Sequence, residues 1–213
     1  MVCMYRLPAP DVVTKTELEI KRSRFITLVT RAADEEQARG FIAEVRSRYP
    51  DARHHCSAYI HHVDDANPVE RSSDDGEPSG TAGAPMLEVL RGSGLLDVAV
   101  VVVRYFGGVK LGTGGLVRAY SDAVSGALSR VPVVTRARRE LYAVTVGHAD
   151  AGRLESELRN RGIDVTGTEY AARATIHVAV EPGGGAGLAG TLASATQGTV
   201  EPERLGTEWI ELP

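Results

Sequence analysis

The 213-residue sequence predicts an α+β protein of two domains, and three observations carry that expectation. Residues 98–103 form an apolar run, valine at every position but Ala99, which suits a central strand covered on both faces. Shortly after it, Leu116, Ala119, Tyr120, Ala123, Val124, Ala127 and Leu128 recur at the spacing of one helical face. From residue 140 onward the alternation of short apolar runs and helical stripes follows the order βαββαβ, the ferredoxin-like arrangement.

In chain order, residues 24–31 (RFITLVTR) read as a strand. Asp34 followed by Gln37 resembles a capping box, and the helix it opens has Ala38, Phe41, Ile42, Val45 and Tyr49 on its apolar face until Pro50 stops it. Residues 56–60 resume as a half-buried strand. Residues 63–79 show neither period and carry two Asp-Asp pairs, Pro68 and Pro78, so one long surface loop is expected there. A short helix over 84–91 precedes the valine strand, and RYFGGVKLGTGG at 104–115 reads as a glycine loop feeding the following helix. Residues 131–139, with Pro132 and a basic cluster, read as a linker, placing the domains at 1–135 and 136–213. The second domain then runs as a strand at 140–146, a helix at 150–161 ended by Gly162, and a hairpin of 163–170 with 174–180. A flexible PGGGAG turn at 182–187, a helix at 188–195 and a last strand from 199 complete it.

Composition narrows the function classes. With 43% hydrophobic and 24% charged residues the chain is of ordinary globular type. The apolar run at 98–103 falls far short of the roughly 20 residues a membrane helix needs. Residues 1–10 lack the basic and apolar regions of a signal peptide, so a cytoplasmic protein with no membrane partner is expected. Cys3 and Cys56 match no zinc spacing, and both are expected to be reduced. The net charge is −4, with −1 before a cut after Thr135 and −3 beyond it. Neither part is a basic module, which argues against sequence-indifferent coating of nucleic acid and leaves room for a local basic patch.

The glycine loop fits neither the Walker pattern, since Lys110 lies inside it, nor the dinucleotide fingerprint, since Val117 occupies the third glycine's place. Its glycines either permit a tight strand-to-helix turn or let backbone amides approach an anion, and Arg104, Lys110 and Arg118 put three positive charges around them. Arg118 is equally placed to pair with Asp122 one helical turn on. His54, His55, His61 and His62 suggest a metal, but strand alternation splits them between two faces, and no metal site or cofactor is expected. Exposed strand-end histidines, with one hydrogen-bonded to the acidic loop, account for them as well. Asp74 and Asp75 suit either acid–base chemistry and cation binding or the making of a turn. A Gly-x-Ser-x-Gly elbow and an HExxH pair are both missing from the sequence.

RSRF at 22–25, ARHHCSAY at 52–59, DDGEPSGTAG at 74–83 and RYFGGVKLGTGGLVRAY at 104–120 together resemble, in order and spacing, the signature of the IMPACT family. The resemblance implies a first domain with the fold of the second domain of a ribosomal small-subunit protein, a second domain like those of elongation factor G, and a link to regulation of translation. Carried over by position, it marks Arg24 in the first block, His54 in the second, and Asp74, Asp75, Gly76 and Glu77 in the third. In the glycine block it marks Arg104, Tyr105, Phe106, Gly107, Gly108, Lys110, Gly112, Gly115 and Arg118. The expected function is non-enzymatic binding of RNA or the ribosome, with Arg104, Lys110 and Arg118 on phosphate and Tyr105 or Phe106 stacked on a base. Two alternatives stand beside it. One is an enzyme acting on a phosphorylated small molecule, with Asp74, Asp75 or Glu77 as base or cation ligand and His54 as proton carrier. The other is a protein-interaction module whose second domain docks a protein partner.

Overall fold

The computed structural model describes residues 4–212, so the expectation for Cys3 lies outside the described residues. The chain divides into two compact units between Thr135 and Arg136, each of mixed α and β structure. Among the described residues no helix is long and apolar enough to cross a membrane.

Unit 1 contains β1 (Met4–Pro8), β2 (Thr14–Ile20), β3 (Ser23–Arg31), α1 (Glu35–Arg48), β4 (His54–His61), β5 (Val69–Ser73), α2 (Gly83–Ser93), β6 (Val98–Tyr105) and α3 (Gly112–Leu128). Its main sheet has the order β2-β3-β6-β4-β5 with antiparallel neighbours throughout. The valine run explains itself here, because β6 is the middle strand and has a core on each side. Val98, Val100 and Val102 pack with Phe25, Met86, Leu90, Leu116 and Tyr120 beneath α2 and α3. Ala99, Val101 and Val103 pack with Ala38, Phe41 and Val45 of α1. With no solvent face there is no polar alternation to read.

The start of α1 follows its capping signal. Asp34 Oδ1 accepts the Gln37 N–H at 2.8 Å, and Gln37 Oε1 accepts the Ala33 N–H at 3.0 Å. The expected loop at 63–79 contains a strand instead: β5 pairs with β4 from Ser57↔Ser73 to His61↔Val69. VERSS lies at the sheet edge and is largely exposed, so it has no apolar alternation to announce it. β2 shows the opposite case: TKTELEI alternates cleanly and pairs with β3, a strand additional to those expected. The helix α3 begins at Gly112, ahead of Leu116, the first residue of its apolar stripe. Gly112, Thr113, Gly114 and Gly115, expected in the loop, are therefore its first turn.

Unit 2 runs β7 (Val133–Val146), α4 (His148–Asn160), β8 (Asp164–Tyr170), β9 (Ala174–Val180), α5 (Gly185–Thr196) and β10 (Glu203–Leu212). Among these strands β7 pairs with both β10 and β9, and β8 pairs with β9, giving the order β10-β7-β9-β8 within the unit, with β9 antiparallel to β7 and β8. Tyr142, Val144, Ile176 and Val178 from the strands meet Ala151, Leu154, Leu158, Leu188 and Leu192 from the helices in one core. Most of the expected linker at 131–139 is the first half of β7 rather than free chain. Its Val133, Val134 and Thr135 are β-branched residues that favour extended backbone over a flexible connection. Gly185 and Gly187, expected in the flexible turn, already belong to α5.

Candidate functional site

The acidic loop at 74–77 is built from the inside. Asp74 Oδ1 accepts the Ala82 and Gly83 N–H groups at 2.9 and 2.8 Å, and Oδ2 accepts the Gly80 N–H at 2.7 Å. It thereby satisfies the start of α2, whose N-cap residue Ala82 has no side chain to do so. Partial burial alone would raise the Asp74 carboxyl, but the amides of Gly80, Gly83 and Ala82 outweigh it and hold the group below the ordinary aspartate value. Asp75, at φ 42°, accepts from Arg46 at 2.8 Å and from the His55 backbone N–H at 2.6 Å. Its carbonyl lies 2.9 Å from His54 Nδ1 and can only accept, so Nδ1 carries the proton and the ring is fixed in orientation. Gly76 follows at φ +83°, and a Cβ there would come within 3.6 Å of the same Nδ1.

Glu77 lies deeper. Its Oε1 accepts from Arg104 Nη1 at 2.6 Å and from the Tyr120 hydroxyl at 2.8 Å, while the Glu77 and Arg104 side chains are only 4% and 7% exposed. Cys56 Sγ closes the network on Tyr120 at 3.3 Å and on the Asp74 carbonyl at 3.0 Å. Burial pushes the Cys56 thiol up to about 12 and raises the Tyr120 hydroxyl likewise, so both stay protonated at neutral pH. The Arg104 guanidinium lies between the rings of Phe25 and Phe106, 5.5 and 5.8 Å from their centroids. Among the described residues only Nη1 of its nitrogens has a hydrogen-bond partner, and Nε is fully buried without one. Asp74, Asp75 and Glu77 thus all accept internal donors and hold the loop together.

Over this network opens a cleft of about 390 Å³, with Arg53, His54, Arg104, Phe106, Lys110, Gly112 and Thr113 among its walls. The α3 N-terminus enters it with neither a side-chain cap nor an acidic residue in its first turn. Its leading amides and the positive end of the helix dipole are left for a ligand or water. Arg53 and Lys110 are exposed, and neither has a side-chain hydrogen bond or ion pair among the described residues. Phe106 is 52% exposed.

Of the residues marked in the sequence, the cleft brings together His54, Glu77, Arg104, Phe106, Lys110 and Gly112. Arg104 was expected on phosphate, yet its one hydrogen bond among the described residues is made to Glu77, which lines the cleft beside it. Tyr105 follows strand alternation to the other face of the sheet, where it packs with the α1-side core and donates to Asp51 at 2.8 Å. Arg24 pairs with Glu17 at 2.7 Å beside the Tyr105 ring, and Arg118, 85% exposed, reaches Asp122 at 3.7 Å. Gly107 donates to Ser23 Oγ at 3.1 Å, and a Cβ on it would collide with the Arg22 carbonyl. Its requirement for glycine therefore comes from the protein's own backbone. Gly108 turns the chain at φ +85°, and Gly115 packs against Leu111. Arg53 and Thr113 also line the cleft, and neither position carries a spacing signal that would mark it in the sequence.

Residues 21–128 match the Impact N-terminal domain, and residues 144–199 match a domain of unknown function, DUF1949. The chain belongs to the IMPACT family. Among its IMPACT relatives, YigZ of Escherichia coli (strain K12) is 38% identical over 195 residues, covering 92% of this chain and 95% of that one. YvyE of Bacillus subtilis (strain 168) is 43% identical over 143 residues, covering 67% of this chain and 65% of its own length. A crystal structure described as that of a hypothetical protein superposes with a TM-score of 0.63 at 35% identity, covering 95% of this chain and 98% of its own. The IMPACT domain match includes every block that lines the cleft.

Proposed function

We propose that this IMPACT-family chain is a non-enzymatic, cytoplasmic RNA- or ribosome-binding protein acting in the regulation of translation, and that it grips phosphate in the cleft at the α3 N-terminus. One observation carries the reading: an uncapped helix N-terminus shares a cleft with Lys110 and Arg53, two cations that have no carboxylate partner among the described residues. Such donors favour an anion, and the exposed Phe106 ring beside them offers a stacking surface for a base. The carboxylates that an acid–base mechanism would use are instead bound to internal donors, which favours binding over chemistry. The fold reading belongs to the same proposal. The first unit is taken as the fold of a ribosomal protein's second domain, and the order β10-β7-β9-β8 supports a ferredoxin-like second unit.

Cosedimentation with ribosomes and direct binding to RNA at physiological salt test the proposal, comparing wild type with a folded Arg53→Ala, Lys110→Ala variant. A loss of about tenfold in affinity, equivalent to ~1.4 kcal/mol, is expected. Equal affinity in the two proteins refutes the assignment to this cleft, and turnover of a phosphorylated metabolite by wild type would replace binding by catalysis.

A further inference from the structure

The donors of the cleft line a single recess. A groove that follows a nucleic-acid strand spaces cations to meet successive phosphates. Here Lys110, the first turn of α3 and Arg104 all border the same recess, and Phe106 stands on its wall. At about 390 Å³ the recess lies near the lower end of small-molecule sites, a size that suits one nucleotide.

Charge balance points the same way. Glu77 neutralises Arg104, which leaves Lys110 and Arg53 as two cations without an ion-pair partner among the described residues, joined by the half-charge of an uncapped helix N-terminus. An internal phosphodiester carries one negative charge and two free oxygens. A phosphate monoester near pH 7 carries about −1.5 to −2 and three acceptor oxygens, and so matches this donor set better. Arg104 supplies an independent sign of a ligand. Its side chain is more than nine-tenths buried and lines the recess, and among the described residues only Nη1 has a hydrogen-bond partner while the buried Nε has none.

We propose that the cleft takes the terminal phosphate monoester of a nucleotide, with the phosphate on the first turn of α3 and Lys110 and the base against Phe106. This rests on the reading of the cleft as the RNA-binding site and refines what part of an RNA it accepts. Two sources share the chemistry, a phosphorylated RNA end and a free mononucleotide.

The test is fluorescence anisotropy on the full chain with one short oligoribonucleotide in three forms: 5′-phosphorylated, 3′-phosphorylated, and with hydroxyls at both ends. Adenosine monophosphate and adenosine serve as competitors, and Lys110→Ala and Phe106→Ala as variants. A phosphorylated form is expected to bind about tenfold or more tightly than the hydroxyl form. That advantage should vanish in Lys110→Ala, while Phe106→Ala weakens binding of the phosphorylated form. Competition by the monophosphate but not by adenosine assigns the site to free nucleotides as well, and failure of both to compete assigns it to RNA ends. Equal affinity for all three oligonucleotides, with the monophosphate silent, overturns the inference while leaving RNA binding in place. Binding of the monophosphate with no RNA bound would instead support the inference and remove the RNA reading beneath it.

Discussion

Arg104 and Glu77 form a pair that neither can leave without stranding a charge in a space almost closed to water. Breaking a buried pair from one side costs about 3–5 kcal/mol, more than most losses of a surface contact. Arg104→Ala is therefore expected to lower the unfolding free energy by about that much in urea titrations, whereas Lys110→Ala should leave it nearly unchanged. For this reason Lys110, and not Arg104, is the residue to mutate when binding is at issue. Asp74 adds a pH dependence of definite sign. Its carboxyl is held below the ordinary value, so its contribution is fully present above the unfolded aspartate range and is lost as pH falls through the lowered folded value. Melting temperatures should accordingly fall with acidification in that range, and Asp74→Asn should fall less; parallel curves for the two proteins would contradict the role given to Asp74. None of these pairings was readable in the sequence, because hydrogen bonds between residues as far apart as Glu77 and Tyr120 leave no trace in local spacing.

Elements were legible to the degree that side chains marked their period. β6 stood out because both its faces are buried, and the body of α3 because Leu116 to Leu128 repeats on one face. The first turn of α3 was read as loop because its glycines have no side chains to mark a face, and that turn is where the cleft's amide donors lie. β5 is hidden by edge exposure, while β2 carries a clean alternation that marks it as a strand. The loop between β6 and α3 also separates two uses of glycine. At Gly107 a Cβ would strike the Arg22 carbonyl and the Ser23 nitrogen, whereas at Gly108 it would meet open space but a backbone at φ +85°. Gly108→Ala should cost about 1–2 kcal/mol from backbone conformation alone. Gly107→Ala must displace the turn between β2 and β3 and is expected to cost more by thermal denaturation. The reverse ranking would show that the loop does not close on Arg22 as described.

Across the chain as a whole, the α+β content and the family blocks were legible in the sequence, and three of those blocks, at 52–59, 74–83 and 104–120, converge on the cleft of unit 1. What the sequence could not give was which members of each block share that cleft, since strand alternation sends Tyr105 one way and Arg104 the other. A chain with net charge −4 has no general attraction for phosphate, so any affinity for RNA must come from a local arrangement. The most direct test of the central claim is therefore a map of where RNA touches the protein, obtained from backbone amide chemical shifts of the full chain during titration with a phosphorylated oligoribonucleotide. The expected result is that the largest shifts fall on Lys110, Gly112, Thr113 and Gly114, with smaller ones at Arg53 and Phe106. Saturable binding that leaves those amides unmoved, and shifts others instead, would contradict the assignment of function to this cleft.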